Sequence, residues 1–222
     1  MLIPPISETY LSLPAVLIWS MSKKKPLLVG ISGGIGAGKT LISKIFSLLN
    51  VPIYNADDRA KWLMAYHQTL KNNISKEFGE ESYAQDGELN RSYLANIVFA
   101  DPVKTSRINE LVHPVVGEDF KQWVDRQEAV YILKEAALLF ETGSYKSLDA
   151  TIHVTASASI RTERVKARDP QRSTAQIKQI IQKQLTDKEK NKLADFLVTN
   201  DESILVIPQV IKIHAQLLAM AK

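Results

Sequence analysis

The sequence predicts a parallel α/β fold with a five-stranded sheet. Short apolar runs alternate along the chain with longer segments of helical periodicity, which is the pattern of strands joined by helical crossovers. Two of these runs, 130–133 and 150–154, are mostly apolar, as expected of strands buried on both faces. The 222 residues, 45% of them hydrophobic and 23% charged, suffice for one core with an inserted lobe. We therefore expect a mostly parallel sheet flanked by helices.

Each predicted element follows from a local pattern. The run 27–31 leads into a glycine-rich loop, after which apolar residues recur at helical spacing over 41–49. The segment 57–127 carries no strand signal, so we interpret it as a helical insertion between the second and third strands. The remaining predicted strands are 51–54, 130–133, 150–154 and 196–198, and the remaining predicted helices are 160–168, 175–185 and 204–220.

The first residues need a separate interpretation. The apolar run 11–19 is interrupted by Pro14 and is shorter than the roughly 20 residues that span a bilayer. Basic residues at 23–25 follow this run, whereas a secretory signal places them before it. We expect residues 1–25 to be a leader that is disordered or mis-assigned, with Met21 as the true start. The alternative is a peripheral membrane anchor.

Composition excludes several classes of function. The chain has no cysteine, which excludes disulfides, thiolate metal sites and a cysteine nucleophile, and which suits a reducing cytoplasm. The 28 Lys and Arg residues exceed the 24 Asp and Glu residues by only four, too mild an excess to indicate nucleic acid. We expect a cytoplasmic protein without a nucleic-acid or membrane partner, and the sequence does not indicate an oligomeric state.

A phosphate-binding loop follows the first predicted strand. Gly33 and Gly38 frame the pattern Gly-x-x-x-x-Gly-Lys-Thr, which ends at Lys39 and Thr40. Glycines let the backbone wrap an anion with its N–H groups, and the following helix N-terminus favours negative charge. The lysine is a point charge for the β- and γ-phosphates, and the threonine hydroxyl is an oxygen ligand for Mg²⁺. The predicted nucleotide-binding stretch comprises Gly33, Gly34, Ile35, Gly36, Ala37, Gly38, Lys39, Thr40 and Leu41.

The remaining motifs favour a small-molecule kinase over other nucleotide-binding proteins. A GTPase would carry Asn-Lys-x-Asp after a later strand, and no such string is present. A motor ATPase would end a strand with paired acids, whereas the third predicted strand leads only to Glu135. Asp57, after the second strand, has two interpretations: a general base that accepts a hydroxyl proton, or a helix N-cap.

Three arginines lie on one predicted helix, at Arg161, Arg164 and Arg168. They form either a solvated basic face or a mobile lid that neutralises transition-state charge. The histidines His67, His153 and His214 show no ligand spacing, so no zinc site is expected.

Together these residues resemble those of the dephospho-coenzyme A kinases, and the resemblance extends from about residue 28 to beyond residue 200. The loop Gly-Gly-Ile-Gly-Ala-Gly-Lys-Thr is close to the family's form of the motif. The other matching strings follow in the family's order: Asn55-Ala56-Asp57, Asp86-Gly87-Glu88-Leu89-Asn90-Arg91, Val98-Phe99, His113-Pro114, Leu138-Leu139-Phe140-Glu141, Arg164-x-x-x-Arg168-Asp169, Gln184, and Ala194-Asp195 leading to Asn200.

The resemblance implies transfer of a phosphoryl group from Mg·ATP to the ribose 3′-hydroxyl of dephospho-CoA. Asp57 would be the catalytic base, and Lys39, Arg164 and Arg168 would stabilise the transferring group. Asn200 would lie near the adenine. The acceptor would contact Asp57, Lys61, Arg91 and His113.

The resemblance also implies a P-loop kinase architecture with three parts. The core would comprise 26–57, 125–160 and 186–222. The helical acceptor lobe would be 58–124, and the helical lid 161–185.

The chain departs from the family's pattern at five positions. Asn55 replaces a usual aspartate, which puts a charge-dependent role there in doubt, and Glu135 is an alternative residue for positioning metal-bound water. Ala136-Ala137 stands where a proline is usual. Arg161 replaces a usual glutamine, and Lys61 a usual arginine. Two other functions compete: a P-loop kinase for another nucleoside or nucleotide, and a nucleotide-binding switch without transferase activity.

Overall fold

Five parallel strands form a single sheet at the centre of the protein. The computed structural model describes residues 25–221, apart from the side chain of Phe99. The strand order is β2-β3-β1-β4-β5, and every pairing is parallel, which confirms the predicted α/β class. The strands are β1 (Leu27–Gly33), β2 (Ile53–Asn55), β3 (Tyr131–Glu135), β4 (Ala150–Thr155) and β5 (Phe196–Thr199).

Nine α-helices in the described part of the chain surround this sheet. They are α1 (Lys39–Leu48), α2 (Ala56–Tyr66), α3 (Gln68–Phe78), α4 (Arg91–Ala100), α5 (Pro102–Asp125), α6 (Ala158–Arg168), α7 (Thr174–Gln182), α8 (Asp187–Leu193) and α9 (Val206–Met220). Helix α8 was not predicted. It begins at a capping box in which the side chains of Thr186 and Glu189 each accept the backbone N–H of the other residue.

The strand register brings three strand ends together at the carboxyl edge of the sheet. In β1, Ile31 lies beside Glu135 of β3 and Ile152 of β4, and Gly33 lies beside Val154. Because β1 is the central strand, the loop that follows it emerges between the ends of its two neighbours. This edge is where open parallel sheets bind their ligands.

Two hydrophobic cores cover the two faces of the sheet. The first packs α1 and α9 against the strands through fully buried side chains such as Phe46 and Leu217. The second joins the sheet to the helical insertion, where Tyr54 packs against Phe120 and Trp123 with ring centroids 4.9 and 5.4 Å apart. Burying each such side chain contributes roughly 1.5–3 kcal/mol, so the insertion and the sheet stabilise each other.

The segment between β2 and β3 is helical, with one isolated antiparallel bridge between Tyr83 and Leu89. Its helices begin at side-chain caps: Asn55 caps α2, Asn90 caps α4 and Asp101 caps α5. The division into a lobe (58–124) and a lid (161–185) remains a prediction. Both ends of the lobe would fall inside helices, and the lid would begin inside α6.

Two expectations about other parts of the chain have different outcomes. The predicted leader lies, except for Lys25, outside the described residues. Within residues 25–221, no helix combines the length and apolarity that are needed to cross a membrane.

A buried polar cluster lies where β4, α6 and α8 meet. It contains three basic side chains, His153, Arg161 and Lys190, which are 0%, 7% and 0% exposed. The Asp187 carboxylate lies 3.6 Å from both His153 Nε2 and Arg161 Nη2, and Glu141 Oε1 lies 2.8 Å from Lys190 Nζ. Buried charges require such partners because desolvation otherwise disfavours the charged form.

This cluster predicts an acid-sensitive fold. The pKa of His153 is lowered, mainly because burial disfavours the imidazolium; the hydrogen bond with Asn191 and the charge of Asp187 oppose the shift, and Lys190 and Arg161 add to it. The unfolded chain protonates this histidine near the ordinary pKa of about 6.5. The folded state therefore loses stability as the pH falls below that value, and the histidine's contribution is constant above it.

We expect the free energy of unfolding to fall more steeply between about pH 7 and about pH 5 in the wild type than in His153→Gln, which has no titrating ring. Urea unfolding at a series of pH values measures both slopes. Equal slopes for the two proteins would contradict the prediction.

Candidate active site at the phosphate loop

The phosphate loop connects β1 to α1 and depends on left-handed glycines. Gly36 and Gly38 have φ values of 78° and 93°, a conformation that disfavours any residue with a Cβ. Gly38 is also the N-cap of α1, so the N–H groups of the first helical turn face the loop. A helix N-terminus in this setting favours a bound phosphate.

Lys39 folds back over the loop. Its Nζ donates to the carbonyl of Gly33 at 3.0 Å. Its pKa is lowered, chiefly by burial; the charges of Glu135 and Asp57 raise it, and those of Lys190 and Arg168 lower it. Charges of both signs therefore act on Lys39, and the negative charge of a bound polyanion would raise its pKa.

Thr40 and Glu135 form a pair of hard oxygen atoms beside this lysine. The Thr40 hydroxyl donates to Glu135 Oε1 at 3.0 Å. Glu135 ends β3 and is only 5% exposed. Hydroxyl and carboxylate oxygens are the ligands that Mg²⁺ prefers, so this pair fits a divalent cation that is otherwise held by phosphates. Within residues 25–221, no group of three His, Asp or Glu side chains could hold a metal by itself.

Asp57 reaches the same edge from β2. It lies in the first turn of α2, and its Oδ2 accepts the Ala137 N–H at 3.1 Å. The N-cap of α2 is Asn55, whose Oδ1 accepts the N–H of Asp58 at 3.0 Å. The interpretation of Asp57 as that N-cap is therefore wrong, and the exposed carboxylate is oriented by the segment after β3. Asn55, the departure from the family's aspartate, keeps a capping role that needs no charge.

Asn200 closes the loop from the side of β5. Its Nδ2 donates to the carbonyl of Ala37 at 2.8 Å, and its backbone N–H donates to the carbonyl of Thr155 at 2.8 Å. A Cβ at Gly38 would lie 2.2 Å from Nδ2. This asparagine therefore supports the loop itself, a contact that the sequence did not indicate.

The two predicted lid arginines face different partners. Arg164 donates to the carbonyl of Asn200 at 2.8 Å and to Glu202 at 3.2 Å. Arg168 is largely exposed, lies 3.3 Å from Asp169, and acts on Lys39 through its charge. Arg164 therefore lies beside the end of β5, whereas the charge of Arg168 acts on Lys39 of the phosphate loop.

The predicted acceptor contacts lie on the helical insertion. Lys61 on α2 is exposed and pairs with Asp58 at 2.9 Å. Arg91 is the exposed first residue of α4. His113 lies on α5, where partial desolvation and then the charge of Lys134 lower its pKa. These three side chains therefore lie on three different helices. The ion-pair partner of Lys61 is Asp58 on the same helix, not a residue of the phosphate loop.

Two further side chains influence the loop in ways that the sequence did not indicate. Gln184, which belongs to one of the family's strings, accepts the Ile35 N–H at 3.0 Å. Lys190 is fully buried, and its charge acts on Lys39. Nothing in the charged run around Lys190 distinguishes it from its exposed neighbours, because the pairing with Glu141 depends on the tertiary fold.

Comparisons with known proteins agree on one family. The family model described as dephospho-CoA kinase matches residues 27–205. A dephospho-CoA kinase of Bacteroides fragilis (strain YCH46) is 35% identical over 188 residues, 84% of this chain and 91% of the relative. A dephospho-CoA kinase of Porphyromonas gingivalis (strain ATCC BAA-308 / W83) is 33% identical over 84% of this chain and 92% of the relative.

Solved structures show the same fold. The crystal structure of TT1252 from Thermus thermophilus superposes with a TM-score of 0.78 and 28% identity, covering 87% of this chain and 98% of the other. The dephospho-CoA kinase from Campylobacter jejuni superposes with a TM-score of 0.64 and 21% identity, over 88% and 98% of the two chains. With a family model that covers most of the sequence and relatives that align over more than four fifths of it, the chain belongs to the dephospho-CoA kinase family and is an ATP-dependent kinase.

Proposed function

We propose that this protein transfers the γ-phosphoryl group of ATP to the ribose 3′-hydroxyl of dephospho-CoA, giving CoA and ADP, in the cytoplasm. One observation carries the assignment beyond family membership. Asp57, Lys39 and the Thr40–Glu135 pair meet at the carboxyl edge of the sheet, although they belong to three different strand connections. This set would supply a base, a cation and a metal-binding pair around one loop, as phosphoryl transfer requires.

Asp57 is proposed as the general base. The Ala137 N–H fixes Oδ2 at 3.1 Å, which leaves Oδ1 for the hydroxyl of the acceptor. As the oxygen of the acceptor hydroxyl attacks the γ-phosphorus, its proton passes to the Asp57 carboxylate. A bond forms between this oxygen and the γ-phosphorus, and the bond from the γ-phosphorus to the bridging oxygen breaks to release ADP. A positioned carboxylate typically contributes about 10²- to 10⁴-fold to such a step.

The cations of the site are proposed to stabilise the transferring group. Lys39 would hold the β- and γ-phosphates, as the lysine of this motif does in general. Arg168 acts on Lys39 through its charge and is exposed, so it is placed to approach a bound triphosphate. Arg164 would join it after exchanging its contact with Glu202 for phosphate, because that ion pair is 3.2 Å long and its carboxylate is largely exposed.

Thr40 and Glu135 are proposed to hold Mg²⁺. Thr40 would bind the ion directly, and Glu135, which already accepts from the Thr40 hydroxyl, would orient the ligands around it. When bound, Mg²⁺ neutralises charge on the β- and γ-phosphates. The buried position of Glu135 favours this role, since a buried carboxylate is stabilised by cations beside it, here Lys39 and the proposed Mg²⁺.

The helical insertion is proposed as the acceptor site. Lys61, Arg91 and His113 are exposed on three of its helices, where they could meet the phosphates of dephospho-CoA. The lobe is held to the sheet by the second core, so the acceptor hydroxyl would be presented toward Asp57 from a rigid support.

The activity is tested by the mass of the product. Incubation with Mg·ATP and dephospho-CoA is expected to add one phosphate to dephospho-CoA, and nucleoside monophosphates are expected to remain unphosphorylated. Turnover of the nucleotides alone would support a different P-loop kinase. ATP binding without phosphorylation of any acceptor would support a nucleotide-dependent switch, and either result would overturn the proposal.

Replacing the proposed base separates chemistry from binding. Asp57→Asn keeps an oxygen for the Ala137 N–H but cannot take a proton, so we expect kcat to fall by about 10²- to 10⁴-fold. ATP binding, measured by titration calorimetry, should change less than about twofold. The control is Asp58→Asn, which alters an exposed neighbour paired with Lys61 and should leave kcat within about twofold. Similar losses in both variants would show that Asp57 has no special role.

The proposed metal ligand is tested by a matched pair of substitutions. Thr40→Val keeps the size of the side chain but removes its hydroxyl, and Thr40→Ser keeps the hydroxyl. We expect the Mg²⁺ concentration that gives half-maximal activity to rise about tenfold or more in the valine variant, because one oxygen ligand is lost. The serine variant should stay near the wild type. An unchanged Mg²⁺ requirement in the valine variant would rule out Thr40 as a ligand.

A further inference from the structure

The guanidinium of Arg161 lies directly against the phosphate loop at Gly34. A Cβ added at Gly34 would be 1.8 Å from Arg161 Nη1 and 3.0 Å from its Cζ. The backbone of Gly34 is outside the left-handed region, unlike that of Gly36 and Gly38. Local conformation therefore permits a side chain at position 34, but only if the guanidinium of Arg161 or the loop itself moves.

The Arg161 side chain is buried and forms an ion pair with Asp187. The residue is 7% exposed, and its Nη2 lies 3.6 Å from the Asp187 carboxylate at the start of α8. Its Nε is buried and has no hydrogen-bond partner among the described residues. An unsatisfied buried donor destabilises the folded state, so the packing of the planar head on the loop and its ion pair must offset that cost.

The same helix contacts the loop at further points. The carbonyl oxygen of Arg161 would lie 2.4 Å from a Cβ at Gly36. One turn later, Arg164 donates to the carbonyl of Asn200, whose Nδ2 in turn donates to Ala37. Helix α6 thus supports the first half of the loop directly through Arg161 and the second half through Arg164 and Asn200.

We propose that Arg161 is a positioning residue for ATP binding. Its guanidinium holds the Gly34 segment of the phosphate loop, and a side chain at position 34 would disturb this contact. Arg161 acts through the loop backbone. Gln184, which accepts the neighbouring Ile35 N–H at 3.0 Å, completes the support. The inference depends on the proposed function only in taking ATP as the ligand of the loop. Displacing a binding group by about 1 Å can reduce activity about 10²-fold, so a support of this kind is expected to affect nucleotide affinity.

A double-mutant cycle tests the proposal. The proteins are the wild type, Gly34→Ala, Arg161→Ala and the double variant, and the measurement is the Kd of ATP in the absence of an acceptor. In the presence of Arg161, the Gly34→Ala change should weaken ATP binding about tenfold or more, which corresponds to about 1.4 kcal/mol. In the Arg161→Ala background the same change should cost less than about twofold, because the space is then open.

Arg161→Ala alone is expected to weaken ATP binding several-fold while the Kd of dephospho-CoA stays within about twofold. A role in packing alone would lower the melting temperature without this selective loss for ATP. Arg161→Gln, which is shorter and neutral, replaces Arg161→Ala in the cycle if the alanine variant does not fold. Gly117→Ala is the control, since nothing lies within 4 Å of an added Cβ there, and it should leave both Kd values unchanged in either background.

The proposal is overturned if Gly34→Ala has the same effect on ATP binding with and without Arg161, or if the Arg161 variant binds ATP as tightly as the wild type. Because ATP binding is measured without an acceptor, failure to phosphorylate dephospho-CoA would count against the proposed function and would leave this test intact.

Discussion

The hydrogen bond from Asn200 Nδ2 to the carbonyl of Ala37 is the interaction on which the geometry of the site depends. A loop with two left-handed glycines has little conformational preference of its own, so its shape must come from groups around it. Asn200 supplies one of these contacts, and its own backbone N–H is bound to Thr155 at the end of β4. The edge strand β5 thus anchors a loop that begins two strands away.

Parallel register supplies the rest of the arrangement. The carboxyl ends of β1, β2 and β3 place the phosphate loop, Asp57 and Glu135 at one edge, although these segments are far apart in sequence. Charges of both signs meet at this edge. Burial lowers the pKa of Lys39, and the carboxylates of Glu135 and Asp57 act in the opposite direction. Perturbed pKa values of this kind cluster at functional sites.

Local patterns allowed much of this structure to be predicted. Apolar runs located the five strands, and the glycine-rich motif located the loop, because both signals lie within a few consecutive residues. Helix α8 was missed because its run of charged residues has little apolar periodicity, and only the Thr186–Glu189 capping box marks its start. The buried pairing of Lys190 with Glu141 and the contact of Arg161 with Gly34 were also missed. Each joins residues distant in sequence, so no local pattern records it.

The position of β3 between β1 and β2 has a consequence for the dimensions of the reaction. Neighbouring strands in a sheet are about 4.8 Å apart, so the strands that lead to Lys39 and to Asp57 are separated by about twice that spacing. This gap, with Glu135 at its base, would have to contain the acceptor oxygen, the phosphorus atom and the departing oxygen in a line. The spacing between hydrogen-bonded strands would then set the distance between the proposed base, Asp57, and the cation, Lys39. Any insertion that displaced β3 would change that distance.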